Sequence, residues 1–538
     1  MKKWGPLMIL GLAQFLMVLD QAVMNVSISQ LVDDFDTTVT VIQSVITFYS
    51  LVMAMLMITG GKIGDRIGRR RAFVIGLVIY ACGSGLTAAS WSVGALAIGW
   101  SVLEGVGAAL VLPALAALIA GNYTEKDRVV AYAVVGGVAG AGIAVGPILG
   151  GWLTTEFTWR LVFIGEVLLV LLILVLIGLL RDAPLPGPKP QIDWVGSVLS
   201  SLGLGLIVLG ILQASTWGWV TAKNSPLEPF GFSLTPFVVA VGGLVLWLFV
   251  RWQHAREQQG RDPLVHLALL RIAALRSGVQ TFLAQNLILM GIFFAVPLYL
   301  QLVQGLDALD TGIQMLPVSI TMFVTSMAGS ALAARFAPRG IIRFGLVVLL
   351  LAIAALLSNI QPDLDSVSFG IAMALVGVGI GLIASQLGNV VQSSVGDTER
   401  GEAGGLQYTS QQLGSAIGVA LIGAVVLTGL TNNFVDRVQA DDRISDEVEE
   451  LVGVEAANGV SFVSSDDVRA TAVDAGLEDA VSDALVEDYE DAQLAALKGG
   501  LLIAGAVVLA AFLFTTGLPR VTPGGRREGD PKPLTARN

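Results

Sequence analysis

Residues 60–71 read GGKIGDRIGRRR, a single acid, Asp65, set among Lys62, Arg66, Arg69, Arg70 and Arg71 and spaced by Gly60, Gly61, Gly64 and Gly68. The residues before it, ITFYSLVMAMLMIT (46–59), and those after it, AFVIGLVIYACGSGLTAA (72–89), are apolar. A short basic connection between two such runs is a loop between membrane helices, on the side where Lys and Arg collect. The arginines alone would serve as anchors. The glycines add something: they let helix ends approach closely, and an acid among arginines forms a charge lock that can break and reform.

The rest of the chain has the same character. Over 538 residues, 54% are hydrophobic and 14% charged, with a mean hydropathy of +0.76. That is the composition of an integral membrane protein. Roughly fourteen apolar stretches of about 18 residues or more are present, centred near Val18, Met53, Ile79, Val106, Ala141, Leu171, Leu206, Leu244, Leu289, Phe323, Leu350, Val378, Ala416 and Val508. The N-terminal MKKWGPLMILGLAQ starts like a secretory signal, but its apolar run continues to Leu31 without a small-residue cleavage site, so it reads as the first span. Cys82 is the only cysteine, which excludes an intramolecular disulfide.

With the N-terminus inside, 25 of the 31 basic residues fall on the inner side, and Arg160, Lys223, Arg437, Arg443, Arg469 and Lys498 fall outside. This asymmetry predicts a multi-pass protein of the cell (plasma) membrane with both termini cytoplasmic. The net charge of −11 is local in origin: from Thr431 to Leu497 there are 18 acidic residues against 3 arginines. That segment reads as a solvated, partly disordered external loop, or as a surface that attracts cations or an external partner.

The expected organisation is a six-span bundle over 1–182, a linker with two additional spans over 183–252 and a cytoplasmic amphipathic segment over 253–275. A second six-span bundle over 276–519 contains the acidic loop 431–497, and a basic cytoplasmic tail occupies 520–538. The linker opens with four prolines in RDAPLPGPKP, and AARFAPRGIIRFG after the tenth span echoes the 60–71 loop. Internal repeats of this kind are common in secondary transporters.

Taken together, these residues carry a resemblance. Gly61, Asp65, Arg66, Gly68, Arg69 and Arg70 resemble the loop signature of the major facilitator superfamily. Gly142, Gly146, Pro147, Gly150 and Gly151 in span five resemble the motif of its exporters and antiporters. Leu19-Asp20 with Asn25-Val26, Trp159-Arg160 with Phe163, Asp193-Trp194 and Gln411-Gln412-Leu413-Gly414 with Gly418 are similar to its drug:proton antiporters with fourteen spans. The resemblance implies an all-α integral membrane protein with the major facilitator fold, two six-helix bundles plus two extra helices. Two positions depart from that pattern. Ser101 and Glu104 stand in span four where the family usually has Arg and Gln, and Glu166 stands in span six where it usually has Asn.

Asp20, Glu104 and Glu166 are expected within spans. A charge near the bilayer centre costs roughly 2.5 to 3.5 kcal/mol even on the lenient insertion scale, so an intramembrane acid is a functional candidate. Burial disfavours the charged form of a carboxyl, which suits a group that takes a proton and releases it when a cation arrives. Asp20 is expected on a cavity face, as proton carrier or partner of a cationic substrate. The plainer reading is a carboxyl that glues helices together, and Glu166, close to the outer end of its span, is expected to snorkel toward water. Asn25, Gln43, Gln285, Asn286, Phe293, Phe294, Tyr299, Gln386 and Asn389 are candidate cavity residues, although aromatics in spans more often pack. His254 and His266, in the inner basic segment, are expected at the surface.

No phosphate loop, Cys-His cluster or nucleophile elbow occurs in the sequence. The reading is therefore of a non-enzyme with no cofactor and no metal site, driven by a proton gradient. Its partners would be small-molecule substrates, protons and the lipid bilayer, with no nucleic acid and no nucleotide. The expected function is proton-coupled export of lipophilic or cationic drugs by alternating access. The alternatives are an exporter of a dedicated metabolite, peptide or lipid, and a membrane scaffold or sensor that uses the acidic loop.

Overall fold

A computed structural model describes residues 3–37, 39–181, 190–222, 225–456 and 462–520. The tail from 521 and linker residues 182–189 lie outside these, as do the side chains of Asn25, Gln43 and Pro147. Fourteen helices in the described residues are long and apolar enough to cross a membrane. Spans one to six are Gly5–Met24, Ser44–Ile67, Arg69–Ala88, Val93–Asn122, Lys126–Thr154 and Arg160–Leu179; spans seven and eight are Trp194–Ala214 and Thr235–Gln258. Spans nine to fourteen are Ala273–Val303, Leu309–Leu332, Pro338–Asn359, Ser366–Ser393, Arg400–Val438 and Asp479–Gly517. Val175, Leu168 and Leu513 are 81%, 61% and 70% exposed, the outward apolar surface expected of a protein solvated by lipid.

Local chemistry sets the breaks. Gly68 adopts φ 101°, a left-handed turn that only glycine takes without strain, and so separates spans two and three. Asp193 caps span seven by accepting from Gly196 N at 3.0 Å, and Asp365 caps span twelve by accepting from Val367 N at 3.2 Å. In span four, Ala97–Glu104 is π-helical, a local widening that often accompanies functional positions.

Two large cores form, one from spans one to six joined by Tyr408 of span thirteen, and one from spans nine to fourteen. The bundles meet reciprocally. Span five packs on span ten, where Gly137 and Gly140 admit Phe323 and Met322. Span two packs on span thirteen, where Gly61 faces the Gly401 carbonyl. Each contact pairs the second span of one bundle with the fifth of the other, as related halves would. Spans seven and eight pack together; span seven also lies against Ala54 of span two and Ala416 and Ala420 of span thirteen. The helix of span eight continues to Gln258, past the expected start of the amphipathic segment.

The acidic loop is more ordered than its composition predicts. Its described residues form helices Asp446–Ala456 and Ser465–Asp474, and spans thirteen and fourteen extend to meet them. Tyr489, Leu485, Ile444 and Ala472 are buried there, and Arg437 pairs with Asp491 at 2.6 Å and Arg443 with Glu487 at 2.7 Å. Each of the three arginines in the segment is thus set against carboxylates, Arg469 pairing with Asp483.

Candidate functional site: a buried carboxyl trio and a latched end

Asp20, Glu104 and Glu166 converge. Each contributes a carboxylate oxygen to a group whose atoms all lie within 4.8 Å of one another, and the residues are 1%, 0% and 2% exposed. Asp20 Oδ1 accepts from Trp100 Nε1 at 2.8 Å, and the Trp100 ring stacks on Tyr49 with centroids 4.8 Å apart. Glu166 Oε2 accepts from Ser84 Oγ at 3.0 Å and Tyr80 Oη at 3.3 Å; Glu104 Oε1 accepts from Thr87 Oγ1 at 3.4 Å. The second oxygen of each carboxyl has no hydrogen-bond partner among the described residues.

Glycines make the convergence possible. A Cβ on Gly83 would stand 2.7 Å from Glu104 Cγ, and one on Gly99 would stand 2.6 Å from Thr87 Oγ1. Spans three and four therefore close around Glu104 only because both positions lack a side chain. Ser101, where the family pattern has arginine, donates to the Val45 carbonyl at 2.7 Å. Among the described residues, the side chains that bond to or act on the trio are Trp100, Tyr49, Tyr80, Ser84 and Thr87, none of them basic. Two unit charges at this spacing repel by about 3 to 4 kcal/mol at an effective dielectric constant of about 20. Three adjacent carboxylates cannot all be charged here, so the trio holds protons or a cation.

All of this lies inside the first bundle, in spans one, two, three, four and six. Asp20 faces Trp100 rather than the seam between the bundles, where a cavity face was expected. Glu166 turns inward to Ser84 and Tyr80 instead of snorkelling, because two hydroxyls on span three supply donors that water would otherwise supply. The seam itself is uncharged where Tyr408 Oη donates to Gln14 Oε1 at 3.2 Å and Gln412 Nε2 donates to Met53 Sδ at 3.5 Å.

The span-five motif sets span one in place. A Cβ on Gly146 would stand 2.3 Å from Ala22 Cβ, and those on Gly142 and Gly150 would stand 3.0 and 2.9 Å from Val18 and Val23. These three contacts flank Asp20 along its helix. Gly151 has nothing within 4 Å. Gly146→Val is therefore expected to displace span one and lower stability by roughly 1 to 3 kcal/mol, while Gly151→Ala has little effect. Thermal denaturation of the two purified variants checks the contrast.

At the end bearing the basic loops, the bundles are latched. Lys62 Nζ pairs with Glu402 Oε1 at 2.6 Å, both side chains 3% exposed. Asp65 pairs with Arg69 at 3.2 Å, and Arg69 donates to the Asp397 carbonyl. Arg400 donates to the Ala120 carbonyl at 3.1 Å and pairs with Asp397 at 2.6 Å. Arg66 is exposed, and Arg70 is half-buried. His266, expected at the surface, is partly exposed there and also places Nδ1 3.0 Å from Glu402 Oε1.

The polar candidates of the second bundle are less concentrated. Gln285 and Gln386 are buried, with Gln386 Nε2 donating to the Gly329 carbonyl at 2.9 Å. Asn389 is also buried. Asn286 bonds to its own helix at Phe282 O, while Phe293 and Phe294 are half-buried. Tyr299 is fully buried and donates to the Gln361 carbonyl at 2.8 Å, so it fastens the end of span nine to the turn after span eleven and does not line a cavity.

Comparison with known proteins gives a consistent picture. The family described as Major Facilitator Superfamily matches residues 10–419. The chain is 33% identical to the puromycin resistance protein pur8 of Streptomyces alboniger, over 80% of this chain and 83% of that one. It is 28% identical to the tetracenomycin C resistance and export protein of Streptomyces glaucescens, over 81% and 78%. The human organic anion transporter MFSD10 superposes with a TM-score of 0.60 at 12% identity, over 96% of this chain and 99% of that one, a likeness of fold.

Proposed function

The chain belongs to the major facilitator superfamily, and on that premise we propose that it exports lipophilic compounds, cationic or neutral, in exchange for protons by alternating access. The single observation that carries the coupling is the trio of Asp20, Glu104 and Glu166, three buried carboxyls that converge within 4.8 Å with no basic side chain acting on them among the described residues. Such a group is stable in a bilayer when it is protonated or holds a cation, and that requirement makes it the candidate for taking up and releasing protons. Export of drugs rests on the relatives, whose names record resistance to puromycin and to tetracenomycin C.

In this reading protons enter from outside and load the trio, and substrate enters the uncharged seam from the cytoplasm or inner leaflet. Because the trio sits behind span one and span four, proton and substrate act through the position of those helices and do not compete for one carboxylate. Gln21, Met53 and Gln412 offer substrate a soft, amide-lined surface. The distribution of basic residues supports cytoplasmic termini in the plasma membrane. The proton gradient is then the energy source, with no cofactor and no chemical step.

The test is proton movement in proteoliposomes with an acidic lumen and the basic end of the protein outward. Adding an ethidium-like lipophilic cation to the outside is expected to drive saturable proton efflux. Substrate uptake with no proton movement would overturn the coupling. Uptake of one structural class alone would instead favour the dedicated exporter, in keeping with the relative named for tetracenomycin C export.

A further inference from the structure

Spans seven and eight are not idle additions. Asp193, at the start of span seven, is 1% exposed and accepts from Gln253 Nε2 at 2.9 Å and Trp252 Nε1 at 3.1 Å, both on span eight, with Arg256 3.5 Å away. Gln253, fully buried, turns its other end to the chain beyond the helix and accepts from Leu264 N at 2.7 Å. Arg256 donates to the Asp262 carbonyl at 2.9 Å, and Glu257 Oε1 accepts from Leu267 N at 2.8 Å. Segment 262–267 is thus fastened along its length to span eight.

Its other side reaches the latch. Leu264 and Val265 are buried against Ile58 of span two and Leu204 and Phe249 of spans seven and eight. His266 N donates to Glu402 Oε2 at 3.0 Å, and its ring Nδ1 lies 3.0 and 3.1 Å from the two Glu402 oxygens. One carboxylate therefore receives Lys62 from the first bundle and His266 from the strap. The His266 side chain is 39% exposed, whereas Lys62 and Glu402 are sealed.

We propose that segment 262–267 is a strap by which spans seven and eight hold the basic end of the transporter shut, with His266 as a clasp that reads the pH of the solution there. The charged groups facing the imidazole are Glu402 of span thirteen, Glu399 just before it and Lys62 of span two, while Glu257 of span eight holds the adjacent Leu267. The hydrogen bond that the imidazole donates to Glu402 raises the histidine's affinity for its proton above the ordinary value, and burial works in the opposite direction. The sign follows. A group whose folded pKa is raised stabilises the state containing its partner at low pH and loses that contribution as pH rises through the folded value. Acid at the basic end therefore keeps the latch closed, and alkalinity releases it. If that end is cytoplasmic, a falling cytoplasmic pH slows substrate capture.

The strap and latch depend on contacts in one conformation and not on the coupling reading, so the test can be run without transport. Nitroxide labels at Arg66→Cys and Thr398→Cys, exposed positions on either side of the latch, report the distance between bundles by pulsed electron resonance in a Cys82→Ser background. In reconstituted protein the ratio of open to closed distances is expected to rise about fivefold between pH of about 6 and about 8. His266→Gln, which keeps a donor but does not titrate, should lose that dependence, and Gln253→Ala should raise the open fraction at both pH values. An unchanged pH dependence in His266→Gln, or a wild type insensitive to pH, would overturn the proposal. Repeating the measurement with Asp20→Asn separates it from the trio: the dependence should persist there even if the trio has no part in coupling.

Discussion

Asp20→Asn is expected to cut substrate-driven proton flux by at least about 100-fold, the scale on which a positioned proton-transferring side chain contributes, while leaving substrate binding largely intact. The reasoning is geometric. An asparagine keeps a carbonyl oxygen for Trp100 Nε1, now 2.8 Å from Asp20 Oδ1, so span one stays in register with span four. What is lost is the exchangeable proton. Binding survives because Asp20 faces Glu104 and Glu166 inside the first bundle and the seam polar groups, Gln14, Tyr408 and Gln412, are untouched. Proton release and equilibrium binding, measured on the same preparation, separate the two effects. A parallel loss of both would return Asp20 to the role of direct substrate partner.

Gly61→Val carries the second large effect. A Cβ there would stand 2.3 Å from the Gly401 carbonyl oxygen, while one on Gly405 would stand 3.0 Å from Ile58 Cα. Spans two and thirteen meet backbone to backbone at the latched end, and no rotamer relieves a contact that begins at Cβ. The substitution faces the other bundle, so each bundle should fold while the closed arrangement is lost. Export is expected to fall on the order of 100-fold, the shift produced when one of two states is destabilised by about 2.7 kcal/mol. The label pair flanking the latch should then report only open distances. A variant that still closes would show that the glycine contact is not what permits closure.

Much of the architecture is visible in residue order. Apolar run lengths fix the number of spans, and the glycines of 60–68 and 142–150 mark where helices touch, because no other residue admits such contacts. The acids are also conspicuous, each being expensive in a bilayer. Their convergence is not legible, since Asp20, Glu104 and Glu166 lie on three separate spans and meet only after Gly83 and Gly99 let spans three and four close. For the same reason Trp100 and Tyr49, which nothing in the sequence singles out, emerge only in the fold as the floor beneath Asp20. His266 is partly exposed, as expected, but its pairing with Glu402 is not legible, because nothing local indicates a carboxylate so far along the chain. The helices of the acidic loop left a signal beyond their partial helical spacing: Ser464 and Asp467 form a reciprocal cap at the start of Ser465–Asp474, and this spacing is readable in the sequence. The abundance of acids masked it.

The measurement that bears most directly on the trio is proton release on substrate binding in weakly buffered, detergent-solubilised protein at a pH of about 8, where no gradient intervenes and the His266 clasp is already released. Wild type is expected to release protons as the lipophilic cation saturates, and the triple variant Asp20→Asn, Glu104→Gln, Glu166→Gln is expected to bind the same cation with no release. If the triple variant releases as many protons as wild type, the three carboxyls are helix glue and the coupling group lies elsewhere.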